Sequence, residues 1–307
     1  MRPRDRETGK QLYAGLAAFE KSHMAMPGII DVQRRNAFVE QLLASQHRVV
    51  YVSVIKDREI SRLRADPNDE LFDPLKAAIL AHRDGDSEEA YWLIFLFVHF
   101  GKHSRGGFRY VREIYGHLGG PDRWNWQSVS GDPAGFCSWL DANKEHLSRK
   151  GAGFGNHRKY ESLDALSSGG TGAVVKSYVR WVSPPRTHRQ IIDEAFAAAD
   201  GDARGAFRQL FSSMESVKRF GRTARFDYLA MLGKLGLADI VPDAAYLKGA
   251  TGPLSGAKLL FGDDESAAVL EGRIDELDKH LSVGMQVIED ALCNWQKSPG
   301  VFVPFRG

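Results

Sequence analysis

The 307-residue sequence contains only two cysteines, Cys137 and Cys293, far apart in the chain. That excludes a cysteine-rich zinc or iron–sulfur module and any disulfide framework, and both read as small buried hydrophobes. No Gly-x-x-x-x-Gly-Lys-Ser/Thr loop occurs, which argues against a nucleotide-dependent kinase or ligase. Long apolar runs are also missing. The most hydrophobic stretch, residues 91–100, is too short to span a bilayer. The charged start, Met1-Arg2-Pro3-Arg4-Asp5-Arg6-Glu7, leads into no apolar signal region. A cytoplasmic location without membrane contact is expected. Alternating, turn-bounded runs are few and no internal repeat is visible, so the expected class is mainly α.

Charge is present in nearly balanced amounts, 41 Lys and Arg against 39 Asp and Glu, but it is unevenly placed. From Lys102 to Arg225 cations outnumber acids, while the C-terminal part carries Asp263, Asp264, Glu265, Glu271, Asp275, Glu276 and Asp278. A basic middle between more acidic ends points to a polyanion-binding face.

Helical spacing predicts segments over 32–55, 75–82, 90–101, 108–118 and 133–147, then 172–182, 188–199, 203–217, 222–237 and 266–295. Asp73-Pro74, Asp86, Asp132-Pro133 and Thr187 have the chemistry of helix starts, and Gly236 that of a helix end. The β-branched run 49–54 would suit a strand, but no partner strand follows nearby. The chain is read as one helical unit or as two lobes, residues 1–150 and 151–307, and as a monomer.

The richest segment is Ser148-Arg149-Lys150-Gly151-Ala152-Gly153-Phe154-Gly155-Asn156-His157-Arg158-Lys159-Tyr160-Glu161. Its glycines let backbone N–H groups converge on an anion, which Arg149, Lys150, Arg158 and Lys159 would neutralise. Phe154, His157 and Tyr160 offer flat faces to a base, and Asn156 and His157 can read its edge. A flexible, solvated surface loop is the plain alternative. Lys102, Arg105, Arg186 and Arg189 are further phosphate-binding candidates. His99 and His103 stand at i, i+4, but no third ligand with characteristic spacing accompanies them. A helix-end role is preferred, and neither a metal nor a cofactor is expected.

The second segment is Val217-Lys218-Arg219-Phe220-Gly221-Arg222-Thr223-Ala224-Arg225-Phe226-Asp227, continuing to Leu235-Gly236-Leu237. Gly221 and Arg222 open a helix whose N-terminal N–H groups and dipole favour an anion. Asp227 follows in the first turns. Its order of parts resembles helix-hairpin-helix DNA glycosylases, in which a glycine-containing hairpin binds the DNA backbone and an aspartate follows. The hairpin and aspartate are closer here than in that family, and no Leu-Pro-Gly-Val-Gly signature is present. Asp227 is equally readable as an acid favouring a helix dipole.

A broader resemblance rests on Arg64-Ala65-Asp66-Pro67, Phe72-Asp73-Pro74-Leu75-Lys76-Ala77-Ala78, and residues 92–102, 154–163 and 220–237. These resemble the α-glutamyl/putrescinyl thymine pyrophosphorylase family, clade 3. The resemblance implies a helical, DNA-glycosylase-like fold and an enzyme that takes an altered base out of double-stranded DNA. The leading expectation is a glycosylase excising hypermodified bases from phage DNA as antiviral defence, with Asp227 as the catalytic carboxylate. A transferase joining an amine to an activated hydroxymethylpyrimidine, and a non-catalytic binder of modified DNA, are the alternatives.

Overall fold

The computed structural model describes residues 3–149, 151–262 and 265–305. Among them it is all-helical, with 14 α-helices and no strand beyond an isolated bridge between His103 and Gly107. The helices are α1 (Arg6–Ser22), α2 (Val32–Ile55), α3 (Pro74–Arg83), α4 (Ser87–Phe100), α5 (Arg109–Tyr115), α6 (Trp126–Gly131) and α7 (Pro133–Leu147). They continue with α8 (Thr171–Val182), α9 (His188–Ala198), α10 (Ala203–Ser213), α11 (Arg222–Leu235), α12 (Thr251–Phe261), α13 (Ala267–Leu281) and α14 (Met285–Trp295). None is long and apolar enough to cross a membrane.

Contacts divide the chain into two units, Met1–Ile55 with Pro242–Arg306, and Lys56–Val241. The boundary expected at residues 150–151 falls inside the second unit. In the first unit, α1, α2, α12, α13 and α14 enclose a core that includes Phe19, Phe38, Leu42, Leu260, Ile274 and Trp295. Phe38 and Trp295 pack with ring centroids 5.0 Å apart. A Cβ on Gly256 would lie 2.5 Å from the Leu292 carbonyl oxygen, so a residue without a side chain lets α12 and α14 meet backbone to backbone.

The second unit is built around α4. Of its 14 residues, 11 are buried, on every side of the helix, which is the signature of a central helix. Phe95 stacks on Tyr178 of α8 at 3.8 Å and on Phe220 at 5.1 Å, and Tyr91 Oη donates to the Leu237 carbonyl at 2.6 Å. Thus α4 carries α8 and α11 on one scaffold. The helix starts follow their side-chain chemistry. Asp73 accepts from the N–H groups of Leu75 and Lys76, Asp86 from Glu89, Asp132 from Gly135, and Thr187 and Gln190 form a capping box. Gly236 closes α11 with φ +74°.

Three expected helices are shorter or divided; the one expected over 203–217 stops as α10 at Ser213, followed by a 3₁₀ turn at Met214–Ser216. Residues 108–118 form only α5 before His117 and Leu118 turn to positive φ. The expected span 266–295 is two helices, because Ser282 (φ +53°) and Gly284 (φ +93°) reverse the chain and Asp278 accepts from the Gly284 N–H at 2.6 Å.

Phe95→Ala should remove the packing that joins α4 to α8 and lower unfolding free energy by about 3–5 kcal/mol. Urea denaturation measures this, and a loss under about 1 kcal/mol would contradict the central role given to α4.

Candidate functional site

After α4, Gly101 (φ +63°) turns the chain into a tight loop in which His103 and Gly107 exchange two backbone hydrogen bonds of 2.9 Å. His103 Nδ1 accepts from the Gly106 N–H at 3.0 Å, so the neutral ring carries its proton on Nε2. Residues 151–155 lie directly against this loop. A Cβ on Gly155 would stand 2.6 Å from the Lys102 nitrogen, and one on Gly153 would stand 2.9 Å from the His103 ring. The Gly155 N–H donates to the Phe100 carbonyl at 2.7 Å. Gly155 is therefore required by the close approach of two backbones, Gly153 leaves room for the His103 ring, and Gly151 takes a positive φ of +92°. Phe154 is half-buried and stacks on Phe100 at 5.5 Å, with its edge contacts to His99 and Tyr110 at 5.7 and 5.3 Å.

Arg158 ties this loop to the turn before α11. Its side chain is only 10% exposed. Nε donates to the His99 carbonyl at 3.1 Å, and Nη2 reaches His99 Nδ1 at 3.4 Å and the Arg219 carbonyl at 3.3 Å. The guanidinium also lies over the Phe220 ring at 5.6 Å and 3.7 Å from Glu161. Burial lowers its pKa, opposed by the charges of Glu161 and Asp227. Arg219, at φ +56°, pairs with Glu161 at 3.1 Å and donates to the Tyr160 carbonyl. His99 is fully buried, and burial followed by the Arg158 charge holds its pKa well below the usual imidazole value. With Arg158 donating to Nδ1, the His99 proton sits on Nε2 and reaches Thr171 Oγ1 at 3.1 Å. His99 and His103 therefore serve separate polar contacts, and no cluster of three metal-ligating side chains occurs among the described residues.

Asp227 is exposed at the sixth position of α11, beyond the first turn in which a helix dipole acts strongly. Gly221, the residue before the helix, is exposed and extended, and it supplies no side-chain cap. Arg222 lies over the Phe226 ring at 5.0 Å. His157 and Tyr160 are exposed, the latter by 81%, with Lys159 Nζ 5.0 Å from the Tyr160 ring centroid. Lys102, over the Phe108 ring at 5.7 Å, and Arg105 are exposed on the opposing loop. Lys150 and the Asn156 side chain lie outside the described residues.

The remaining expected phosphate ligands are engaged locally. Arg149 folds back onto the His146 carbonyl at 2.8 Å. Arg186 donates to the carbonyls of Trp181 and Val182 at 2.6 and 2.9 Å, which satisfies the end of α8, and pairs with Glu194. Arg189 is exposed and pairs with Asp193 at 2.9 Å. The structure thus joins the glycine-rich loop to the α11 turn, and it sets Arg186 and Arg189 in a separate helix-capping region.

Two carboxylates on α4, the half-buried Glu88 and the buried Glu89, carried no sequence signal beyond their place at a helix start. Glu88 accepts from the His188 backbone N–H at 3.0 Å, and its second oxygen lies 2.7 Å from His188 Nδ1. His188 Nε2 meets Tyr178 Oη at 2.6 Å, which meets Tyr228 Oη at 2.9 Å. Burial lowers the His188 pKa against the pull of Glu88, and burial raises both tyrosines. Glu89 accepts from the Trp126 N–H at 2.7 Å, and its carboxylate also faces the Tyr115 hydroxyl, with Oε1 buried outside good hydrogen-bond geometry. Burial pushes its pKa up to about 7. These pairings span up to 100 residues of sequence and appear only once the helices are packed.

Because the folded-state pKa of Glu89 is raised, its contribution is complete below about pH 4.5 and is lost as pH rises through about 7. Between pH 4 and pH 8, Glu89→Gln should gain about 3 kcal/mol of unfolding free energy relative to the wild type. A pH-independent difference in urea denaturation would refute this. Gly155→Ala should cost about 1–3 kcal/mol, because its Cβ meets backbone and not a movable side chain. An unchanged denaturation midpoint would show that the two loops are not in contact.

A family model described as alpha-glutamyl/putrescinyl thymine pyrophosphorylase clade 3 matches residues 33–307. No curated protein and no solved structure matches the chain.

Proposed function

Because the chain belongs to the alpha-glutamyl/putrescinyl thymine pyrophosphorylase family, clade 3, we propose that it is an enzyme that hydrolyses the base–sugar bond of a hypermodified pyrimidine in DNA. The observation that carries this reading is the tie between the glycine-rich loop and the turn that opens the Asp227 helix, made through Arg158 and Arg219. It gathers a carboxylate, an uncapped helix N-terminus and exposed cations and aromatics on connected segments. Lys102, Arg105, Lys150, Lys159, Arg222 and the N–H groups after Gly221 would hold backbone phosphates. Arg158 positions the loop. The extruded base would stack on Tyr160 and be read by Asn156 and His157. Asp227 would stabilise positive charge developing at the sugar C1′ and orient the attacking water. Oxygen of that water bonds to C1′ as the C1′–N bond breaks. The bonding electrons leave with the base, which takes up a proton, and the water proton passes to Asp227 or solvent. Excision of phage-specific bases would serve antiviral defence.

The family name favours a second reading, group transfer at an activated pyrimidine. There an amine nitrogen bonds to the base methylene carbon, diphosphate leaves with the C–O electrons, and the amine loses a proton. Mass spectrometry separates the two readings. With phage DNA carrying modified bases, the glycosylase releases free base and leaves abasic sites. Asp227→Asn should reduce release at least about hundredfold while duplex binding stays within about threefold. Added mass on the base, seen only with a diphosphate-activated substrate and a donor amine, would replace hydrolysis by transfer. Binding with no change to the DNA would make the protein a recognition module.

A further inference from the structure

Three further cations of the basic middle converge elsewhere in the second unit. A cleft of about 210 Å³ is lined by Ser167, Ser168, Lys176, Ser177, Arg180 and Lys218. Lys176 and Arg180 occupy successive turns of α8, and Lys218 joins them from the turn before α11. All three are exposed, and none forms an ion pair with a described acid. Like charges at i, i+4 repel, so this clustering favours the bound state of a multiply charged anion. The nearby acid, Asp164, is already bound to Lys144 at 2.7 Å and to the N–H groups of Leu166 and Ser167. Glu161 is held by Arg219 and Arg158.

The cleft is also built rather than accidental. Ser177 Oγ accepts from the Lys218 N–H at 2.9 Å and donates to the Val174 carbonyl, which fixes Lys218 against α8. The first N–H groups of α8 do not contribute. Those of Thr171 and Gly172 are taken by the carbonyls of Ser162 and Asp164, and the polar part of the lining, beside Ala165, Leu166 and Ala173, is made of side-chain cations and hydroxyls. At about 210 Å³ the cleft is large enough to hold a phosphate or diphosphate group.

We propose that the Lys176–Arg180–Lys218 cleft is a phosphate-group site, taking either free diphosphate or a phosphate of the nucleic-acid backbone. The test is calorimetric titration of the full chain with inorganic diphosphate, alongside duplex binding over a range of salt. Lys176→Gln, Arg180→Gln and Lys218→Gln should each weaken the anion about tenfold or more. Lys218→Arg should retain binding, and Lys21→Gln controls for net charge. Loss of diphosphate binding in the three variants identifies a free-anion site. Absence of diphosphate binding, with the salt slope for duplex lowered by about 1 per variant, identifies a backbone-phosphate site. Three variants that behave like Lys21→Gln in both measurements would overturn the proposal. Both readouts are binding, so the result is independent of whether base release occurs.

Discussion

The second unit depends on a guanidinium that is almost withdrawn from water. Burying an arginine is unfavourable unless its charge and N–H groups find partners. Arg158 finds the His99 carbonyl at the end of α4, the Arg219 carbonyl in the turn before α11, the Glu161 carboxylate and the Phe220 ring. Three stretches distant in sequence, the end of α4, residues 158–161 and the turn before α11, therefore share one charge. Burial holds the His99 pKa well below its usual value, and the facing Arg158 guanidinium adds to that.

Gly153 and Gly155, beside Arg158, follow a similar logic. Read as sequence, Gly-Ala-Gly-Phe-Gly resembles a nest for an anion. In the fold its neighbours are the Lys102 nitrogen, the Gly101 backbone and the His103 ring. Backbone-on-backbone packing and anion binding make the same local demand, a missing Cβ, and only tertiary contact separates them. Charge carries a comparable ambiguity. Arg158 and Arg186 lie in the basic clusters of the sequence, yet each closes backbone carbonyls inside the protein. Lys176, Arg180 and Lys218 look no different in the sequence and converge on a cleft.

Much of the helical order was legible because it is decided locally. Asp73-Pro74, Asp86 and Thr187 each satisfy N–H groups two or three residues away, so their chemistry is visible in a short window. The run 49–54, with strand-like composition, is helical inside α2, where position within an amphipathic helix outweighs β propensity. Helices α1 and α12 drew no notice, although Leu12, Leu16 and Phe19 carry the helical repeat of α1. The division at Ser282 and Gly284 was hidden, since positive φ at a serine has no reliable signature in composition. Of the candidate site, the loop and the α11 turn were visible as motifs. Their joining, and the Glu88–His188–Tyr178–Tyr228 chain, were not, because hydrogen-bond partners many helices apart leave no periodic trace.

One property of the architecture bears on how the molecule is made. The unit Lys56–Val241 is a single run of chain, whereas the other unit combines Met1–Ile55 with Pro242–Arg306. Chains emerge from the ribosome N-terminus first, and contiguous units can fold as they appear. Helices α1 and α2 would then wait, with Leu16, Phe19, Phe38 and Leu42 lacking the α12–α14 side of their core, until the last third of the polypeptide is synthesised. While the intervening segment is flexible, its length raises the entropic cost of that meeting only logarithmically. During that interval the apolar faces of α1 and α2 lack the helices that cover them in the fold.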